Sequence, residues 1–159
     1  MNLYLVRHAE AEPISSPNSD FDRKLTTKGK DTIKKAAEGW KKVIKSIDVI
    51  AASPFIRALQ TAEIIASVFN YEEKIYSDKK IKSGSRLEDL IEIVKSFKKE
   101  NILIVGHEPD MSHHVSALVS SSGMFVDFKK GGIAKISFEG KVKESKGTLE
   151  FFIPVELFK

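Results

Sequence analysis

Two histidines and two arginines stand out for what they could do together: the pair Arg7-His8, then Arg57, then His107. Each follows closely on a short apolar run that reads as a strand. Leu3-Tyr4-Leu5-Val6 leads into Arg7-His8, the run from Ile47 to Ala52 leads toward Arg57, and Ile102-Leu103-Ile104-Val105 leads through Gly106 into His107. In an α/β sheet, ligands sit outside the carboxyl ends of the parallel strands. Three strand ends therefore direct two imidazoles and two guanidiniums at one place. Planar guanidiniums suit bidentate recognition of an oxyanion such as a phosphoryl group. A neutral imidazole is a nucleophile able to accept that group covalently.

Each residue also has a plainer reading. A lone histidine at a strand end is commonly a satisfied structural group, but Arg7 beside it needs an anionic partner, because an unpaired charge next to a buried strand is costly. For His8 to attack, one ring nitrogen must keep its lone pair while the other donates, here expectedly to a backbone carbonyl. The nearby arginines are expected to favour that neutral form by lowering the imidazole pKa. Arg57 falls in the first turn of a helix expected to open with Ser53 as N-cap and Pro54 at the first helical position. Its side chain then leans back toward the strand ends; the alternative is a surface pairing with an acid such as Glu63. His107 supplies a second imidazole as a hydrogen-bond donor, and Gly106 before it permits close backbone approach.

The proton donor is less distinct. Glu10, two residues beyond His8, is the nearest candidate acid, with Glu108, Asp20 and Asp22 as others; Asp20 is also a candidate substrate contact from the rim of the site. Each can equally be a loop carboxylate in water. His107, Asp110, His113 and His114 could suggest a metal cluster, but on a helix opening at Pro109-Asp110 the last two point to different faces rather than converging. No metal and no cofactor are expected, and His113 and His114 read as partly exposed. Lys129-Lys130-Gly131-Gly132 reads as a turn.

The elements that must position these groups alternate. Residues 2–7 read as a strand, and 8–27, with Pro13, Pro17 and several serines, as a loop at the rim of the site. Residues 28–45 carry Ile33, Ala36, Ala37, Trp40, Val43 and Ile44 at helical spacing, capped by Thr26 or Thr27. A strand at 47–52, a helix at 54–69, a short strand near 74–76, a helix from Leu87 to Phe97, a strand at 102–106 and a helix from Pro109 to Val119 follow. Ile133–Phe138 and Thr148–Ile153 read as a closing β-hairpin. The expectation is an α/β three-layer sandwich: a mostly parallel central sheet, helices on both faces, and an antiparallel C-terminal hairpin.

The 159 residues are expected to form one domain. No apolar run approaches the ~20 residues needed to span a bilayer, and no basic stretch followed by a longer apolar one reads as a signal peptide. The absence of cysteine excludes disulfides, thiolate metal sites and a cysteine nucleophile; a cytoplasmic setting is the expectation. The net charge of +4 could mark an anionic partner, yet the lysines spread over polar helix faces, and no aromatic-basic interleaving supports nucleic-acid binding.

At these residues the chain resembles the histidine phosphatase superfamily, with its phosphoglycerate mutase-like fold. The matching stretches are LVRHAEAE (5–12), LTTKG (25–29), SPFIRALQTA (53–62) and VGHEPDM (105–111), in order and spread over nearly the whole chain. The resemblance implies that His8 is the phosphorylated nucleophile and that Arg7, Arg57 and His107 form the phosphate pocket. Within the superfamily the chain is most similar to the short phosphohistidine phosphatases, which act on histidine phosphate of bacterial signalling proteins. The short interval between the Arg57 helix and the His107 strand leaves no room for a capping insertion, which suits a protein-borne phosphate. The alternatives are a phosphatase or mutase acting on a small phosphorylated metabolite, or a phosphate- or phosphoprotein-binding module without turnover. One departure from the family pattern is Ala9, where glycine usually follows Arg-His; an ordinary backbone is expected there.

Overall fold

A computed structural model of the chain describes residues 1–16 and 19–158; Pro17, read as part of the rim loop, lies outside them. Six strands form one sheet in the order β3-β2-β4-β1-β5-β6. They are β1 (Asn2–Arg7), β2 (Val49–Ala52), β3 (Tyr76–Ser77), β4 (Asn101–Gly106), β5 (Ile133–Ser137) and β6 (Thr148–Ile153). β1, β2, β3 and β4 run parallel, and only β5 opposes its neighbours on both sides. The expected mixed sheet and closing hairpin are both present.

The strands β1, β2 and β4 read as unbroken apolar runs because both of their faces are buried. Side chains alternate across a strand, and the core divides accordingly. Tyr4, Val6, Ile50, Leu103 and Val105 pack toward α1 (Thr27–Trp40) and α2 (Ile56–Phe69), while Leu3, Leu5, Ala51, Ile102 and Ile104 pack toward α3 (Leu87–Phe97) and α4 (Asp110–Val119). This is the three-layer arrangement the alternation predicts.

Helix ends depart from expectation in two places. The hydroxyl of Thr26 accepts from the Gly29 amide and caps α1 as expected, but α1 stops at Trp40 instead of running to residue 45. There the bonding tightens, with the amides of Lys42 and Val43 donating to carbonyls three residues back. That turns Val43 out to half exposure and tucks Ile44 into the core. The second departure is α2, which opens at Ile56 with Phe55 as an N-cap that makes no side-chain bond. Ser53 is not the cap. Its amide donates to the Val105 carbonyl and carries the strand pairing one residue further, while its hydroxyl accepts from the Phe55 amide ahead of the helix and from no amide within α2.

Candidate active site

The parallel register does the assembling. Arg7 on β1 pairs with Gly106 on β4, and Ala52 on β2 pairs with Val105. His8 and His107 therefore leave adjacent strands at the same level, and Ser53 leaves the third. Val6 and Val105 face α1 and α2, so two residues later His8 and His107 emerge on that same side. Their rings stand 5.2 Å apart, centroid to centroid, and α2 brings Arg57 to them: its Nε donates to His8 Nε2 at 3.3 Å. His8, Arg57 and His107 are 7, 5 and 2 % exposed, unusually deep for groups of this polarity.

The state of His8 follows from its partners. Nδ1 lies 2.7 Å from the Ala9 carbonyl, which can only accept. The proton therefore sits on Nδ1, and Nε2 keeps the lone pair, weakly engaged by Arg57. Burial pushes the imidazole down to about 3; the Ala9 bond opposes this, and the charges of His107, Arg57 and Arg7 add to it. The expected backbone partner and neutral ring are thus present, though burial and not the arginines is the leading cause. Ala9 has an ordinary backbone, since the non-glycine residues with positive φ are Asn70, Lys98 and Ser145. Its amide donates to Thr61 Oγ1, whose own hydrogen goes to the Arg57 carbonyl.

His107 contributes the opposite pattern. Its Nε2 lies 2.7 Å from Ser53 Oγ, while Nδ1 is buried with no partner. Burial, reinforced by Arg57, lowers this ring to about 4. Arg7 starts on the other face of β1, and its Nη1 donates to the Phe128 carbonyl at 2.7 Å. Its Nε, like His107 Nδ1, is buried without a partner. Two N–H-capable groups beside the His8–Arg57 pair are thus buried without a partner, and a buried donor left unpaired calls for an acceptor to meet it.

The acids behave otherwise. Glu10 accepts from the Thr26 hydroxyl at 3.0 Å and sits 3.5 Å from Lys28 Nζ. The Thr26 bond, helped by Lys28, holds its carboxyl below the ordinary range, whereas a general acid must arrive protonated. Asp20 is bonded to the arginine of the site itself. Its carbonyl and carboxylate take both terminal nitrogens of Arg57, at 2.6 and 3.2 Å, and its other oxygen takes Arg23. Burial raises the Asp20 carboxyl, but Arg23 and Arg57 outweigh this and leave it lowered. Glu108 binds the Ser112 amide and hydroxyl within the first turn of α4.

The other signals resolve structurally. Asp110 accepts from the Gly84 and Ser85 amides, and His114 Nε2 lies 3.3 Å from Ser85 Oγ. His113 is exposed, but His114 is buried at 2 %, contrary to expectation, because it turns inward toward the loop before α3. Among the described residues no three His, Asp or Glu side chains gather so as to hold a metal ion. Around Lys129–Gly132 the chain does turn, and Gly131, at φ +75°, donates its amide to both the Arg7 and His8 carbonyls. Only a residue tolerant of that backbone supports the nucleophile from below. A cleft of about 260 Å³ flanks this segment, lined by Arg7, Ala9, Lys28, Lys129 and Lys130 among others, with Glu10 and Glu156 on its wall.

Sequence reasoning read Ser53 only as a helix cap, passed over Thr61, and read Gly131 only as part of a turn. The first two lie inside SPFIRALQTA, which marked the segment but not the work of its small polar residues.

The sequence profile of the histidine phosphatase superfamily (branch 1) matches residues 3–83. The chain belongs to this superfamily. The profile spans His8, Arg57 and the rim loop, and His107 lies beyond it. A phosphohistidine phosphatase SixA homolog of Haemophilus influenzae is 28% identical over 156 residues, covering 91% of this chain and 92% of that one. Among solved structures, the protein histidine phosphatase SixA complexed with tungstate superposes with a TM-score of 0.85 at 22% identity, over all of both chains. The α-ribazole phosphatase of Shigella flexneri, another phosphatase, superposes at 0.74 with 17% identity, over 98% of this chain and 97% of that one. Superfamily membership makes the protein a hydrolase of the phosphatase type. No helix among the described residues is long and apolar enough to cross a membrane.

Proposed function

We propose that the protein is a metal-independent phosphatase that forms a covalent phosphohistidine on His8 and acts on phosphohistidine carried by another protein. The observation that carries the first half is the neutral His8, with its proton committed to the Ala9 carbonyl and its Nε2 lone pair beside Arg57. In the first step Nε2 attacks phosphorus, the N–P bond forms, and the leaving group departs with the electron pair of its own bond to phosphorus. Arg7, Arg57 and His107 surround the phosphoryl oxygens, meeting the charge that spreads over them in the transition state. The phosphorylated ring keeps its Nδ1 proton on the Ala9 carbonyl. When water attacks, His8 therefore leaves as a neutral imidazole, the new O–P bond closes, and inorganic phosphate forms.

The acids support the second half. Glu10 and Asp20 are both held as anions by cations and a hydroxyl. An alkoxide is a hard leaving group, its parent alcohol having a pKa near that of water, ~16, and general-acid help is typically worth ~10²–10⁴ in rate. A phosphoimidazole that carries a proton on its far nitrogen leaves as neutral imidazole, whose conjugate acid has a pKa of ~6.5. Such a substrate needs no donor from the protein. The similarity to SixA, in a structure that holds the oxyanion tungstate, agrees with this reading. The likeness in fold to an α-ribazole phosphatase favours the second reading, a small phosphorylated metabolite. A binding module without turnover would have no use for a free imidazole lone pair in the anion recess.

The test is to incubate the protein with a phosphohistidine-bearing protein and, separately, with a panel of phosphometabolites, quench, and locate phosphate by mass spectrometry. Phosphate is expected on His8, in the presence of EDTA as in its absence, and His8→Ala is expected to abolish both label and turnover. Fast cleavage of phosphometabolites with phosphohistidine left untouched would overturn the substrate assignment. Full turnover by His8→Ala would overturn the mechanism.

A further inference from the structure

His107 can serve as an oxyanion donor only if its hydrogen sits on the nitrogen that meets the oxyanion. Of its two ring nitrogens, Nε2 is occupied by Ser53 Oγ at 2.7 Å, and Nδ1 is buried and unpartnered. A neutral imidazole carries one hydrogen, and the group bonded to one nitrogen decides where it goes. We infer that Ser53 is a positioning residue whose hydroxyl donates to His107 Nε2, fixing the proton on Nδ1 as the hydrogen-bond donor for the phosphoryl group. The inference rests on the reading of His107 as part of the phosphate pocket.

Two observations set the direction of that bond. First, Ser53 Oγ already accepts from the Phe55 amide, at 3.3 Å, so an acceptor position on the oxygen is taken and its own hydrogen remains to be placed. A hydroxyl has one hydrogen to give, and Nε2 is the acceptor within reach. Second, Ser53 has no solvent exposure, and its amide is tied to the Val105 carbonyl. The oxygen is therefore delivered by a strand end that cannot swing away, level with the strand that carries His107. The reverse arrangement would leave Nδ1 as a bare lone pair, unable to donate to a phosphoryl group. Packing keeps the ring in place as well: Phe55 meets it edge-on at 5.0 Å between centroids. Ser53 and Phe55 thus act as one unit, the hydroxyl setting the tautomer and the aromatic ring setting the tilt.

The two imidazoles then carry their protons on the same atom for different reasons. His8 holds Nδ1–H on a carbonyl so that Nε2 can attack; His107 holds Nδ1–H because its Nε2 is an acceptor for serine. Fixing a ring by a partner on its far nitrogen generally matters at the 10–100-fold level, and a wrong tautomer in a catalytic imidazole costs more.

The test uses ¹⁵N-labelled full-length protein and long-range ¹H–¹⁵N correlation of the imidazoles at neutral pH. His107 is expected to show a protonated Nδ1 and an unprotonated Nε2 in the wild-type protein. In Ser53→Ala this fixed pattern is expected to be lost and kcat to fall by about 10- to 100-fold, with KM little changed and phosphate still trapped on His8. Ser53→Thr, which retains the hydroxyl, is expected to restore both the spectrum and most of the rate. A wild-type His107 protonated on Nε2 overturns the inference without any variant, as does a Ser53→Ala protein with wild-type kcat. If the wild-type protein never acquires phosphate on His8, the proposed function fails, while the spectrum still decides the tautomer by itself.

Discussion

An imidazole nucleophile is useful only while its lone pair is free, and His8 secures this by burial more than by charge. The same holds for His107, so both rings stay neutral to about 3 and about 4. Their resonances are therefore expected not to move between pH 8 and 5, where an exposed histidine titrates near ~6.5; an NMR titration checks this. The sign for stability follows. Below about pH 6.5 the unfolded chain takes up protons that the folded chain refuses, so stability is expected to fall as pH drops from there toward 4, and to be indifferent to these rings above it. Denaturant midpoints at pH 7, 6, 5 and 4.5 would show the trend. At this scale the sequence was legible for residue types: Arg7, His8, Arg57 and His107 were visible as chemistry. It was not legible for proton positions, which depend on the Ala9 carbonyl and the Ser53 hydroxyl, one a backbone group and the other a residue that reads as a helix cap.

The elements place these groups through contacts that tolerate little change. The first turn of α1 lies against the segment after His8: a Cβ built on Gly29 would meet the Glu10 carbonyl oxygen at 2.1 Å. Because the obstacle is backbone, it cannot be relieved by a rotamer change. Gly29→Ala is expected to push α1 off that segment, destabilise the protein by about 1–3 kcal/mol, as overpacking does, and lower turnover by more than the loss of folded protein explains. Thermal unfolding and kcat measured on the same preparation separate the two. Periodicity gave the existence and faces of α1, α2 and α3, since their inward stripes are set by local spacing, whereas α4 was legible from its Pro109-Asp110 opening and not by its faces. It misjudged the end of α1 and the start of α2, because those ends are set by neighbours: the core pocket that draws in Ile44, and the Val105 carbonyl that keeps Ser53 extended. Asp20 illustrates the same point. Nothing in its local sequence distinguishes it from Asp22, yet the fold gives it both terminal nitrogens of Arg57, so an oxyanion that takes Arg57 must exchange places with it.

Over the whole molecule, the layered α/β order was readable from alternation alone, while the position of β1 between β4 and β5 was not, because strand order depends on pairings between distant segments. Charge acts at this scale too. With a net charge of +4 and a lysine-lined cleft flanking the Arg7–Glu10 segment, an acidic phosphoprotein is expected to be steered to the site. Its kcat/KM should fall by about 10-fold or more on going from low to high salt, more steeply than for a small phosphoester. Equal salt slopes for the two would argue for the small-metabolite reading. Arg7 leans on Phe128, 121 positions away, and the Gly131 amide clasps the successive carbonyls of Arg7 and His8. Translation therefore delivers the attacking group long before its supports. A chain paused on the ribosome anywhere ahead of Ile133 would hold His8 on a strand with one bare flank, and competence should switch on late, only once β5 has emerged.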